Sequence, residues 1–151
     1  MTMTGNGNHT GEYTTLPGAD AVQDSPLTVI AEEQPAIREL LCWILLLACY
    51  RLVVCVDRQA TLTWEGQITI PADLRAILLL DLGSLCAQEA INLLDNVRAQ
   101  WQTSFTVPPQ IIILTTHPNV QTYLGSRECV LLKPFHVRDL LALIQQATKA
   151  L

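Results

Sequence analysis

The chain has 151 residues and a formal net charge of −5, and 50% of its residues are hydrophobic while only 15% are charged. This length suits one domain, so we expect no separate sensor or catalytic domain. The nine lysines and arginines form no basic cluster, and the longest apolar run, 40–50, is too short to span a bilayer. These features exclude a nucleic-acid-binding surface and a membrane span, and we expect a cytoplasmic protein.

The first segment of the chain, 1–26, shows no apolar periodicity. It is rich in Gly, Thr, Asn and Asp, and it contains three acidic residues but no lysine or arginine. Such a composition is typical of a disordered tail. We therefore predict a disordered N-terminal tail at 1–26 and one folded domain at 27–151.

From residue 27 onwards, short apolar runs alternate with segments that have the periodicity of helices. The predicted strands are 27–31, 52–56, 76–80, 110–114 and 129–132. The predicted helices are 35–50, 58–65, 89–100, 119–124 and 137–148. Five strands that alternate with helices predict an α/β fold, with a doubly wound parallel sheet and helices on both of its faces.

Chemically active side chains follow four of these strands. Glu32 and Glu33 follow the first strand, Asp81 the third, Thr115 the fourth and Lys133 the fifth. Doubly wound sheets place their functional sites at this edge, outside the carboxyl ends of the strands. Clustered carboxylates suit Mg²⁺, and a carboxylate beside a metal ion and a lysine can attack a phosphoryl group. The pattern therefore predicts phospho-aspartate chemistry centred on Asp81.

Each of these residues also has a purely structural interpretation. Glu32 and Glu33 could stabilise the positive end of the helix that follows them. The hydroxyl of Thr115 could open a loop, and Lys133 could be a solvated cation. A structural role is least expected for Asp81, because an unpaired charge at the end of a buried strand is costly.

Four blocks of the sequence, in order, resemble the signature blocks of response-regulator receiver domains. They are Val29–Pro35, Leu78–Leu82, Ile112–Thr116 and Val130–Phe135. The resemblance covers about residues 27–147. It implies a flavodoxin-like fold with a five-stranded sheet and a role in a two-component phosphorelay. In that role a histidine kinase or phosphotransfer protein supplies the phosphoryl group, and a downstream protein partner receives the signal.

The resemblance also implies a role for each residue of the site. Asp81 would be the phospho-acceptor, and Thr115 and Lys133 would contact the phosphoryl group. The implied ligands of Mg²⁺ are Glu32, Glu33, Asp81 and the carbonyl oxygen of Gly83. The peptide bond between Lys133 and Pro134 is expected to be cis.

The chain departs from the family pattern at several positions. Both acidic residues before the first helix are glutamates, whereas the family usually has aspartates there. Val130 stands where an aromatic switch residue is common, and Leu85 and Glu89 replace a usual Pro and Gly. These departures support a second hypothesis, a degenerate pseudo-receiver that acts as a phosphorylation-independent protein-interaction module.

We do not expect an enzyme that acts on a separate substrate. After Asp81 the chain continues with Leu82 and Gly83, so it lacks a second acid two residues on that could act in acid–base catalysis. A glycine-rich phosphate-binding loop is also missing.

The helix predicted at 35–50 is apolar almost all round, since Trp43 and Leu45–Leu47 extend its hydrophobic side beyond one core face. A contact with a partner is therefore predicted here. A dimer could form through this helix or through the face made by 119–124, 129–132 and 137–148.

The five cysteines have no metal-binding spacing, and each lies in or beside an apolar run. They predict buried free thiols in a reducing compartment.

Overall fold

The computed structural model describes residues 12–14, 26–48, 50, 53–56, 75–124 and 128–150. Within these residues there are six strands and four helices. The strands are β1 (Glu12–Thr14), β2 (Leu27–Ala31), β3 (Val53–Val56), β4 (Ala76–Gly83), β5 (Gln110–Thr115) and β6 (Cys129–Leu132). The helices are α1 (Pro35–Leu47), α2 (Ala87–Ser104), α3 (Val120–Leu124) and α4 (Val137–Lys149).

The described strands form one sheet in the order β1-β3-β2-β4-β5-β6. From β3 to β6 every neighbouring pair is parallel, which confirms the predicted five-stranded parallel sheet. Counted along the chain, these five strands follow the order 2-1-3-4-5 of flavodoxin-like sheets. In that order the chain changes direction across the sheet between β2 and β4, and a crevice opens at their carboxyl ends.

A sixth strand, β1, lies in the segment predicted as a tail. It pairs antiparallel with the outer edge of β3, with Tyr13 opposite Val54. Edge strands expose unpaired backbone groups that another extended segment can satisfy, and such pairing requires no apolar periodicity. Most of the predicted tail and the whole of the predicted helix at 58–65 lie outside the described residues.

The central strands are buried on both faces, as their continuous apolar sequences require. Every residue of β4 from Ala76 to Leu82 is buried, and so is β5 from Ile111 to Thr115. One hydrophobic cluster packs α2 and α3 against one face of the sheet. A second cluster packs α1 and α4 against the other face. Helices on both faces confirm the doubly wound architecture.

The helices differ from the prediction mainly at their ends. Helix α2 begins two residues earlier than predicted because Cys86 caps it, and the backbone N–H of Cys86 donates to Glu89 Oε2 at 3.0 Å. It extends to Ser104 because Trp101 continues its buried side. No helix among the described residues is both long and apolar enough to cross a membrane.

The prediction of buried cysteines is wrong for Cys86, which is exposed at the start of α2. Its place in a capping loop outweighs the apolar character of the neighbouring sequence. Cys42 and Cys129 are free and partly buried against the α1–α4 cluster. The side chains of the other two cysteines lie outside the described residues.

Thr28 on β2 provides a test of polar burial in the core. Its side chain is fully buried, and its hydroxyl has no hydrogen-bond partner among the described residues. Since a buried, unsatisfied hydroxyl is destabilising, we expect Thr28→Val to raise the free energy of unfolding by about 1 kcal/mol. Urea unfolding followed by circular dichroism measures the change.

Thr115 offers the matched control for this substitution. It is equally buried, but its hydroxyl donates to the carbonyl oxygen of Gly83 at 3.1 Å. Thr115→Val should therefore lower the free energy of unfolding. A loss of stability in Thr28→Val would contradict the prediction.

Candidate functional site

The crevice between β2 and β4 brings two carboxylates together. Ala31 pairs with Leu80 in the sheet, so the next residues, Glu32 and Asp81, leave neighbouring strands at the same level. Both residues are buried, with exposed fractions of 0% for Glu32 and 6% for Asp81. Two buried acidic side chains at one point need compensating groups, because unpaired buried charges are strongly unfavourable.

Lys133 supplies that compensation. Its Nζ lies 2.9 Å from Asp81 Oδ1 and 3.1 Å from Glu32 Oε2. The lysine side chain is itself largely buried, with 18% of it exposed. The three groups form a cluster, here called the Glu32–Lys133–Asp81 cluster, in which one ammonium group bridges two carboxylates.

The cluster shifts the pKa of two of its members. Burial raises the pKa of Glu32 above its ordinary value of 4.5; the hydrogen bond from the Gln34 N–H opposes this, and the charge of Asp81 adds to it. Burial alone would lower the pKa of Lys133, but hydrogen bonds to Asp81 and Glu32 outweigh it and raise the pKa above 10.5. Lys133 is therefore a cation at neutral pH.

The backbone of Lys133 is held at the end of β6. Its N–H donates to the carbonyl oxygen of Thr115 at 2.8 Å, which continues the ladder between β5 and β6. The Lys133–Pro134 peptide bond is cis, which confirms that prediction. The strand end thus directs the ammonium group towards the crevice.

Gly83 ends β4 at an irregularity in the pairing with β5 and has a φ of 55°, a conformation that favours glycine. Its N–H donates to Asp81 Oδ1 at 3.0 Å. Its carbonyl oxygen accepts three hydrogen bonds, from the hydroxyls of Thr115 and Thr116 at 3.1 Å each and from the Thr116 N–H at 3.2 Å. A carbonyl oxygen has two lone pairs, so these donors occupy it fully.

Thr115 lies at the predicted edge, and its hydroxyl takes part in two local contacts. The hydroxyl donates to the carbonyl of Gly83 and accepts the N–H of His117 at 3.0 Å. In this arrangement the hydroxyl joins the end of β5 to the end of β4. The structure thus brings Thr115 beside Gly83, while Lys133 bridges Glu32 and Asp81.

The two glutamates are placed differently. Glu32 is buried in the cluster, whereas Glu33 is exposed. Among the described residues, no group of three or more His, Cys, Asp or Glu side chains could hold a metal ion. Because Glu33 is exposed and belongs to no such group, and because three donors occupy the carbonyl of Gly83, the arrangement does not fit an Mg²⁺ site made from the four predicted ligands.

Three residues that sequence reasoning missed shape this site. Arg38 donates to the backbone carbonyl of Glu32 at 2.8 Å, and the N–H of Gln34 donates to Glu32 Oε1 at 3.0 Å. Thr116 supplies two of the donors to Gly83. The only available signal was position: Thr116 directly follows β5, and Gln34 and Arg38 lie at the start of α1. These positions do not distinguish them from ordinary loop or helix residues.

The comparisons with known proteins identify the fold. No protein-family model matches the chain, and no curated protein matches it. A response regulator CheY-like protein from Mesorhizobium loti is 17% identical, with a TM-score of 0.58, and the match covers 81% of this chain and 98% of that protein. The Vibrio cholerae chemotaxis protein CheY4 is 21% identical, with a TM-score of 0.55 and the same coverage of both chains. The chain therefore has the fold of the CheY-like response regulators, as its sequence blocks predict.

Proposed function

We propose that the chain is a receiver domain of a two-component phosphorelay that works in the cytoplasm. Asp81 accepts a phosphoryl group from a histidine kinase or phosphotransfer protein, and a downstream protein partner receives the signal. One observation carries the proposal: the ammonium group of Lys133 lies 2.9 Å from a buried aspartate at the crevice of a doubly wound sheet. A buried carboxylate paired with a fixed cation is suited to nucleophilic attack on a charged group.

The proposed step is an in-line transfer. A carboxylate oxygen of Asp81 attacks the phosphorus of a phosphohistidine, and the P–N bond breaks as the new O–P bond forms. The other ring nitrogen of the phosphohistidine already carries a proton, so the electron pair of the broken P–N bond stays on an imidazole that leaves as a neutral group. Asp81 then carries an acyl phosphate, and Lys133 neutralises charge on the phosphoryl oxygens. The hydroxyl of Thr115 turns from Gly83 to a phosphoryl oxygen.

Intact-protein mass spectrometry after incubation with acetyl phosphate tests this proposal. Wild-type protein should gain the mass of one phosphoryl group, and Asp81→Asn should gain none. Asp95→Asn is the matched control, because Asp95 is an exposed aspartate on α2 and its loss should leave labelling unchanged. Parallel samples with Mg²⁺ and with a chelator show whether labelling needs the metal.

Two results would oppose the proposal. One is an unlabelled wild-type protein under conditions that label an established receiver. The other is equal labelling of wild type and Asp81→Asn, since that would place the phosphoryl group on another residue.

A second candidate function, the phosphorylation-independent interaction module, is favoured by the surface of α1. Leu40, Trp43 and Leu47 are large apolar side chains with exposed fractions of 59%, 45% and 81%. Their spacing puts them on one side of the helix. A separate groove of about 550 Å³ lies between the residues that follow α1 and helix α4, and it is lined in part by Ala48, Tyr50 and Leu141. Exposed apolar surface of this kind marks contact sites.

We propose a second copy of the chain as the occupant of the α1 surface. No charged residue lies between Leu40 and Ala48, so this stretch of α1 can be buried against a second copy without desolvating a charge of its own. Trp43 lies three residues after Leu40 and four residues before Leu47, so the three side chains have nearly the same spacing when the helix direction is reversed. An antiparallel, two-fold contact therefore places Leu40 of one copy opposite Leu47 of the other and brings the two Trp43 side chains together.

Sedimentation velocity over a range of protein concentrations tests this dimer. Wild type should dimerise as the concentration rises, and Leu47→Glu should remain a monomer, because it buries a charge in the contact. Tyr123→Glu is the control, since Tyr123 is an exposed side chain on α3 on the opposite side of the sheet. A wild-type monomer at every concentration, or a dimer that survives Leu47→Glu, would oppose the dimer. Association that is indifferent to acetyl phosphate would favour the interaction module over the phosphorelay.

A further inference from the structure

We infer that Lys133 occupies the cation position of this site and that the wild-type site does not bind divalent cations. The inference deepens the proposed function and rests on it only for the identification of the site as the phospho-acceptor centre. It follows from where each oxygen of the predicted ligand set makes its contacts.

The oxygens of Glu32 are both engaged by protein groups. Oε1 accepts the N–H of Gln34 at 3.0 Å, and Oε2 accepts the ammonium group of Lys133 at 3.1 Å. The backbone carbonyl of Glu32 is also fixed, because Arg38 donates to it at 2.8 Å. Glu32 therefore cannot turn towards a metal ion without losing contacts that stabilise its burial.

Asp81 uses one oxygen in the same way. Its Oδ1 accepts both the N–H of Gly83 at 3.0 Å and the ammonium group of Lys133 at 2.9 Å. The ammonium group thus lies between the two buried carboxylates, in the position where a cation is attracted by both. A divalent ion at that position would be repelled by Lys133 at short range.

The main-chain ligand is also occupied. The carbonyl oxygen of Gly83 accepts the hydroxyls of Thr115 and Thr116 and the N–H of Thr116. A metal ion would have to displace these donors from an oxygen that has two lone pairs. The exposed Glu33 does not replace the missing ligand, because it is not part of a metal-binding group with Glu32 and Asp81.

The charge balance explains why one lysine suffices. With Lys133 present, one ammonium group lies between two buried carboxyl groups and compensates them. Without Lys133 the same pocket holds two buried carboxyl groups and no compensating ammonium group, which is an arrangement that favours oxygen-liganded divalent ions. The inference therefore predicts that removal of the lysine creates a divalent-cation site that the wild type lacks.

Binding of Mn²⁺, measured by the loss of its free-ion electron paramagnetic resonance signal, tests this. Wild type should leave the signal unchanged. Lys133→Gln should reduce the signal, with an affinity for Mn²⁺ at least about tenfold higher than that of wild type, and added Mg²⁺ should displace the bound Mn²⁺. Lys149→Gln is the matched control, because Lys149 lies in the last turn of α4, remote from the crevice, and makes the same change of charge. It should behave as wild type.

Wild-type binding of Mn²⁺ that Mg²⁺ displaces and that Asp81→Asn abolishes would overturn the inference. So would a Lys133→Gln protein that is folded and binds no more Mn²⁺ than wild type. Should Lys133→Gln be unfolded in the absence of metal, recovery of its circular dichroism spectrum on addition of Mn²⁺ would support the inference. Failure of Mn²⁺ to restore that spectrum would count against Lys133 as the occupant of the cation position.

These outcomes are separate from the fate of the proposed function. Mn²⁺ binding by wild type together with labelling of Asp81 would overturn this inference and support the phosphorelay. No Mn²⁺ binding and no labelling would support the inference and oppose the phosphorelay. Labelling that proceeds equally in chelator and in Mg²⁺ would support both.

Discussion

Replacement of Lys133 by methionine is expected to lower the free energy of unfolding by about 3 kcal/mol at neutral pH. Methionine keeps a side chain of similar length but removes the ammonium group that lies 2.9 Å from Asp81 and 3.1 Å from Glu32. Two carboxylates then remain buried without a cation. Urea unfolding at pH 7 measures the loss, and the double variant Lys133→Met/Asp81→Asn should recover part of it.

The loss should depend on pH in a defined way. The loss of stability should shrink as the pH falls from neutrality towards 4.5. The reason is that the pKa of Glu32 is raised above 4.5, so this buried carboxyl group takes up a proton at a higher pH than an ordinary glutamate and then no longer needs a compensating cation. In wild type the raised pKa of Lys133 gives a stabilisation that is complete below pH 10.5 and is lost as the pH rises through the folded-state value. The two proteins should therefore also converge in strongly alkaline solution.

Lys149→Met is the control for this experiment, since Lys149 is an exposed lysine at the end of α4. It should change the free energy of unfolding by less than about 0.5 kcal/mol. An equal effect of the two substitutions at pH 7 would show that the Glu32–Lys133–Asp81 cluster does not contribute to stability.

Replacement of Trp101 by alanine is expected to lower the free energy of unfolding by about 3–5 kcal/mol. Trp101 is 1% exposed and is one of the largest fully buried side chains. Its ring stacks on Phe105 with 4.4 Å between the centroids, and its Nε1 donates to the carbonyl of Val107 at 2.9 Å. Alanine would leave a cavity between α2 and the sheet and deprive the Val107 carbonyl of this donor.

Trp101→Phe separates these two contributions. It keeps an aromatic ring but removes the indole donor, so it should cost less than Trp101→Ala. Tyr123→Ala is the control at an exposed aromatic position and should cost less than about 1 kcal/mol. A loss in Trp101→Ala no larger than in Tyr123→Ala would contradict the burial that the structure shows.

The strands and helices were largely predictable because the buried face of each element produces a regular pattern of apolar residues in the local sequence. β4 and β5 are buried on both faces and therefore must be continuously apolar, which a sequence displays directly. Helix ends were less predictable. The start of α2 depends on a cap by Cys86, a residue type that is not typical of helix caps.

The sequence predicted which residues lie at the carboxyl edge of the sheet, but it did not predict the contacts that these residues make with one another. Strand order follows from connection rules, and those rules place Glu32, Asp81 and Lys133 near the same crevice. The division between neighbouring glutamates was not predictable, because Glu32 and Glu33 are chemically identical and only the fold decides which one is buried. Lys133 contacts Glu32 across 101 positions of sequence, a distance over which no local pattern extends.

The sequence by itself determined the alternation of strands and helices, the parallel sheet and the placement of Asp81, Thr115 and Lys133 at the carboxyl edge of that sheet. It could do so because apolar periodicity and strand-end position are local properties of the chain. Only the tertiary structure decided that β1 adds an antiparallel edge, that three donors occupy the carbonyl of Gly83 and that Lys133 bridges two buried carboxylates. These features depend on hydrogen bonds and charges between segments remote in sequence, and their energies exist only once the chain has brought those segments together.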